Sequence, residues 1–275
     1  MTKHMYLSAR CRLLDLALIA LPLLSAFPTV GWSALPPAVF DFAVYATGTG
    51  CGAITICGNA YVDSFDSGQG SYPQTKQLSK GIIGVSGNIS LRGSATVNGP
   101  VFATNTTVGT CQNGTPGIST SGKAAATGGY IQLSAAPSFP HPDPVSAGSQ
   151  SYNVTADATL APGSYGNIGV NGKATLTLSP GTYNINSLTL SGQPSLTVNP
   201  PGQVIINVTG TNASQPLQLT SGSIVNTSGI PLNFQLIYGG NLPISLAGGA
   251  STYAVLYAPN AAATLHGGSD WYGST

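Results

Sequence analysis

Apolar and polar residues alternate through most of the chain. In "ATLTLS" (174–179), "SLTLSG" (187–192), "SLTVN" (195–199) and "QVIINV" (203–208), one face collects Leu176, Leu178, Leu188, Leu190, Leu196, Val198, Val204, Ile206 and Val208. The other face collects Thr175, Thr177, Thr189, Thr197 and Asn207. This period of two predicts strands with one buried and one wet face. The runs are punctuated by Pro162-Gly163, Pro180-Gly181 and Pro201-Gly202, about 18 and 21 residues apart. "LAPGSYGNIGVNG" (160–172) and "LSPGTYNINSLTLSG" (178–192) are nearly one sentence written twice.

A unit of this size cannot bury its apolar face alone, and stacking near-identical units builds one continuous core. Proline fits a corner, where its missing N–H removes no ladder bond, and glycine fits where φ turns positive. The expected fold is therefore all-β, a right-handed parallel β-helix whose rungs are these runs. The texture extends to "GAITICGNAYVDSF" (52–65) and "GVSGNISLRGSATVNGPVFAT" (84–104) on one side, and to "LNFQLIYGG", "YAVLYAPNAAATLHGG" and "DWYGS" on the other. The expected organisation is a β-solenoid part over 35–133, a Pro-rich linker or external loop over 134–152, and coils over 153–275. The chain stops inside what reads as a rung, so an open or truncated solenoid end is expected there.

Residues 1–34 read differently. Lys3, Arg10 and Arg12 precede "LLDLALIALPLLSAF", an apolar run of signal-peptide length. The segment is expected to be an export signal, with an uncleaved membrane anchor as the rival reading. Location is then extracellular or in the cell envelope. Composition agrees with a secreted β-protein: charged residues are 5%, Gly number 36 and Glu is absent. With formal charge +1, no basic field exists to hold nucleic acid, and a membrane is met only through the N-terminal segment. Past that segment lie Cys51, Cys57 and Cys111. In an oxidising compartment a disulfide is expected. The expected pair is Cys51–Cys111, both in Gly/Thr turn contexts. Cys57, at the end of "AITIC", is expected to pack as a small apolar residue. If the stretch between them is extended, Cys51 and Cys57 lie about 20 Å apart, too far to bridge.

"LSPGTYNINSLTLSG" and "YAPNAAATLHGGSDWYGS" resemble an uncharacterised family of bacterial cell-envelope proteins, and "AYVDSFDSGQGSY" (60–72) looks like its opening motif. Members carry a β-helical domain with "PGTY" coils and a "YAPNA…FYGA" ending, often beside Tad or type IV pilus-assembly genes. The resemblance covers roughly residues 37–275. It implies a fold and a location, with pilus or other envelope components as partners. It implies no reaction.

The residues offer little catalytic chemistry. Acid–base work on polysaccharides needs clustered carboxylates. Beyond residue 150 only Asp157 and Asp270 are acidic, and coil counting puts them at opposite ends of the stack. Asp63 and Asp66, with Ser64, Ser67 and Gln69, offer oxygen ligands to a hard cation, but they also suit turn capping at the "DSGQG" corner. His141 sits among prolines, and His266 with Asp270 and any Ser makes a triad only on paper. Tyr165 and Tyr183 are either an aromatic binding stripe or stacked neighbours on consecutive rungs with wet hydroxyls. "QNGTPG" (112–117) lacks the Lys of a phosphate loop. The Asn-x-Ser/Thr sequons, such as Asn88, Asn153 and Asn207, arise readily in so Thr-rich a chain. No cofactor and no catalytic residue are assigned. The expected function is a non-catalytic structural or adhesive protein. The alternative is a carbohydrate-active or carbohydrate-binding β-helix with surface glycans as partners.

Overall fold

The structure is a computed structural model that describes residues 3–9, 42–111, 117–246, 252–265 and 269–274. It is a parallel β-helix. Each complete coil contributes three short strands, and each strand pairs with its counterpart one coil on. Coil length is not constant. The pairings of Ile83 with Val101 and of Ile168 with Leu188 mark compact coils. The coils that carry Leu188 to Leu217 and Val44 to Ile83 are longer. Their surplus residues leave the stack as excursions. One of them carries the short α-helical turn Tyr72–Thr75.

The order of winding could not be read from the repeats. One ten-stranded sheet runs the length of the stack in the order Ala125–Ala126, Thr96–Val97, Tyr61–Asp66, Lys3–Ala9, Ser269–Ser274, Thr252–Tyr257, Phe234–Tyr238, Val204–Val208, Gly181–Ile185 and Gly163–Ser164. The first half of the chain (42–133) thus starts in the middle and winds outward to one end. The second half (152–274) starts at the opposite end and winds back to the middle. Strand Ser269–Ser274, expected at an open end, is interior. The halves meet at a seam, where Lys3–Ala9 pairs antiparallel with Tyr61–Asp66 on one side and Ser269–Ser274 on the other. The remaining strand pairs are parallel, apart from an isolated antiparallel bridge between Ser64 and Gln77. One apolar cluster fills the interior of both halves, from Ala43 and Ile54 to Leu256 and Trp271.

Residues 134–149 lie outside the coils, and they are more than a linker. The ten-stranded sheet is about 43 Å long at about 4.8 Å per strand. The chain between Gln132 and Tyr152 must cover this length, and about 20 residues extend to about 66 Å. It runs as a strap fastened to both halves. Phe139 packs on Tyr45 with ring centroids 4.7 Å apart, joining Phe42, Phe102, Tyr257 and Ile237 in an apolar cluster on the outer face. The Tyr257 hydroxyl donates to the Pro140 carbonyl, and Asn260 Nδ2 lies 2.8 Å from His141 Nε2.

The repeated Pro-Gly-x-Tyr sentence has a local explanation. The Tyr165 hydroxyl donates to the Ala161 carbonyl at 2.6 Å, back across its own corner. The Tyr183 hydroxyl lies 2.7 Å from the carbonyls of both Ser179 and Leu160, so it closes its own corner and reaches the previous coil. The glycine makes room for the proline beneath it. A Cβ at Gly181, whose φ is +139°, would lie 2.4 Å from the Pro162 ring, and one at Gly202 would lie 2.6 Å from Pro180. The corners therefore recur with a two-residue stagger, Gly163 pairing with Tyr183 and Gly181 with Val204. The rings of Tyr165 and Tyr183 stack, with centroids 6.3 Å apart. The expected wet hydroxyl holds poorly for Tyr183, which is 1% exposed and points inward.

Burial pushes the Tyr183 hydroxyl well above its ordinary pKa, and pushes that of Tyr257 up to about 12. A raised tyrosine pKa stabilises the fold fully below about pH 10, the unfolded value, and that stability is lost as pH rises through the folded value. Denaturant midpoints should therefore fall steeply above about pH 10, and less steeply for a Tyr183→Phe, Tyr257→Phe chain. At neutral pH Tyr183→Phe alone should cost about 1–2 kcal/mol, because buried carbonyls lose their donor. Parallel pH profiles for the two chains would contradict this account.

Candidate functional site

The residues singled out for chemistry are tied into the scaffold. Asp63 is fully buried. Its Oδ1 accepts from the Ser64 N–H at 2.7 Å and its Oδ2 from the Tyr72 hydroxyl at 3.0 Å. Desolvation raises its pKa, against those two hydrogen bonds and the charge of Lys76. Asp66 Oδ1 accepts from the Gly68 N–H at 3.0 Å, the turn-capping arrangement the "DSGQG" sequence suggests. Asp157 Oδ1 accepts from the Thr175 N–H of the next coil at 2.8 Å. Among the described residues no three His, Cys or acidic side chains gather as a metal site. Asp157 lies in the outermost coil of the second half and Asp270 at the seam. His266 and most of "QNGTPG" lie outside the described residues.

Cys51 and Cys111 are joined in a disulfide, with Cα atoms 5.8 Å apart. It ties the turn before Ile54–Ile56 to the turn before Ile118–Thr120, across three coils. Cys57 is also disulfide-bonded, which corrects the expectation that it packs as a thiol, and no described cysteine is free. Beside the Cys51–Cys111 bridge an open cleft of about 460 Å³ is lined by Asn88, Ser90, Arg92 and Ser119. Arg92 Nε donates to Ser90 Oγ at 2.9 Å, which leaves an exposed guanidinium as the cation of this wall.

The second half presents a different surface. Its outward positions line up from coil to coil and bond to one another. Asn186 Nδ2 donates to Asn167 Oδ1 at 2.7 Å, and Thr209 Oγ1 donates to Asn186 Oδ1 at 2.9 Å. Asn207 Nδ2 donates to Asn184 Oδ1 at 2.9 Å, and Asn171 Nδ2 donates to Asn153 Oδ1. Thr159, Thr177 and Thr197 form a fourth column. Such ladders fix amides and hydroxyls at the rung spacing of about 4.8 Å. The first ladder faces residues 145–149 of the strap across an open cleft of about 530 Å³. Asparagines that recur once per coil were the signal for these ladders. Read singly, they look like sequons.

A family defined as a domain of unknown function (DUF7305) matches residues 137–275, half of the chain. The protein belongs to the DUF7305 family. The matched region begins within the strap and takes in every coil of the second half, so strap and ladders are parts of the DUF7305 unit. The first half, outside the match, stacks on it. No curated protein and no solved structure matches the chain.

Two variants test these assignments. The raised pKa of Asp63 means its contribution to stability is full below about pH 4 and lost as pH rises through the folded value. The Asp63→Asn chain should lack this loss, so the stability difference between it and the parent should change across that window in urea titrations. A constant difference would refute the buried-carboxylate account. A Cys51→Ser, Cys111→Ser chain opens a loop of sequence separation 60 and should lose about 4 kcal/mol of unfolding free energy.

Proposed function

We propose that this DUF7305 protein is an exported, non-catalytic structural or adhesive element of the bacterial cell envelope, working alongside pilus-type components. The observation that carries the reading is the run of hydrogen-bonded amide and hydroxyl ladders along the outer face of the second half. A rigid stack with a repetitive neutral surface suits display and contact over many coils. Its carboxylates at Asp63, Asp66 and Asp157 hold backbone and tyrosine groups, an arrangement that serves folding. The Cys51–Cys111 bridge fits an oxidising compartment, as does the signal-like segment before it.

A second reading is supported by the cleft between the strap and the Asn167–Asn186–Thr209 ladder. Paired amides and hydroxyls match the paired hydroxyls of neutral sugars, so surface glycans are the ligand class that cleft would take. One experiment addresses both readings. Cells are fractionated for the protein, and the purified protein is tested on a glycan panel for binding and turnover. Envelope location with no turnover is expected. Turnover of a polysaccharide that is lost on Asp63→Ala or Asp66→Ala would overturn the non-catalytic reading.

A further inference from the structure

The seam is the one place where the described ten-stranded sheet breaks its parallel rule. Tyr61–Asp66 and Ser269–Ser274 point the same way and stand one strand apart, and Lys3–Ala9 fills the gap antiparallel to both. Six residues pair on one side and five on the other. No other described strand pair crosses from one half to the other. Without a strand in the gap, two facing rows of backbone N–H and C=O groups lose their partners and stand open to pair with another strand.

The side chains around the gap also stand out. The buried, unpartnered polar atoms among the described residues are Ser67 Oγ, Gln77 Oε1 and Trp271 Nε1. Ser67 follows the first gap strand, Gln77 bridges to its Ser64, and Trp271 is in the second. Tyr253 and Tyr272 stack face to face with centroids 4.5 Å apart on the same region, next to Phe65. Unpaired buried polar atoms and a packed aromatic cluster thus coincide at the seam.

We propose that the gap between Tyr61–Asp66 and Ser269–Ser274 is a strand-acceptor slot, which takes an extended segment of another envelope protein once export has removed residues 1–34. This rests on the export reading, because the strand now in the slot precedes the signal-like run; the processed chain then keeps Cys51, Cys57 and Cys111, so a disulfide at Cys57 is no longer an intrachain one. The occupant is a foreign chain, since every processed copy has lost the seven residues shown to fit. Its chemistry follows from that fit: an extended segment of about seven residues, lying antiparallel to both walls and paired through its backbone on both edges. This is strand addition with two edges in place of one.

The test uses the protein recovered from the envelope, with its N-terminus read by mass spectrometry, beside the full chain made without export. The probe is the synthetic peptide KHMYLSA, residues Lys3–Ala9. The processed protein should bind it one to one, and the full chain should not. A Tyr6→Pro peptide should bind at least tenfold more weakly, because both edges are paired and proline removes an N–H. A peptide carrying Ser8→Cys should form a disulfide with an Asp270→Cys chain, since those positions are directly opposed. If the recovered protein still carries residues 3–9, the slot is never vacated and the proposal fails, while the envelope location stands with residues 1–34 as an uncleaved anchor. If it lacks them and binds no peptide, the export reading stands and the slot proposal fails. Self-association that blocks the peptide would make a second copy the occupant and refute the foreign strand.

Discussion

Backbone pairing between coils is the constraint on which everything else in this molecule depends. A parallel stack satisfies each strand only through the coils on either side, so every break in the winding leaves two open edges. This chain starts its winding in the middle and therefore creates a break there. The antiparallel strand Lys3–Ala9 closes the sheet across it. The strap at 134–149 follows from the same choice, because a chain that reaches one end of the stack must travel its whole length to begin again at the other. The Phe139–Tyr45 contact and the Tyr257–Pro140 hydrogen bond fix that crossing to the surface.

The local grammar of the fold was legible in the sequence. Alternating runs such as "SLTLSG" are strands with Leu188 and Leu190 inside, and the Pro-Gly corners recur from coil to coil. These features depend on neighbours in sequence and on one repeated unit. The winding order was not legible, because it depends on which edges meet between positions far apart in the chain, as at Thr47 Oγ1 and the Pro259 carbonyl. The inward hydroxyl of Tyr183 was missed for a related reason: its second acceptor, Leu160, is on the previous coil and becomes visible only once the two-residue stagger is known. Cys57 was misread because chain distance excludes Cys51 as its partner but is silent about a cysteine elsewhere in the chain.

The surface chemistry divides along the same line as the family match. The DUF7305 region carries the asparagine and threonine ladders, whose members bond to the next coil, so that each rung orients the one after it. The first half carries the Cys51–Cys111 bridge and the Arg92 cleft, built on three coils of unequal length. A ladder gains from regular coils, whereas irregular coils gain from a covalent tie, since long excursions enlarge the entropy that closure must overcome.

The acidic residues of Tyr61–Asp66 take on a different meaning once the seam is known. This strand is formed early in the chain, and the strand across the gap from it, Ser269–Ser274, is formed last. Without Lys3–Ala9 in place, one edge of Tyr61–Asp66 faces water with Tyr61, Val62 and Phe65 on it, a composition that invites pairing with other chains. Asp63 and Asp66 place two negative charges on that strand, and charge is the common means by which an edge resists such pairing. In the closed stack both become buried, and Tyr72 and the Ser64 and Gly68 N–H groups take up their oxygens. The desolvation that raises the pKa of Asp63 is thus the cost, in the finished fold, of carrying a charge on a strand whose edge only the seam strand covers.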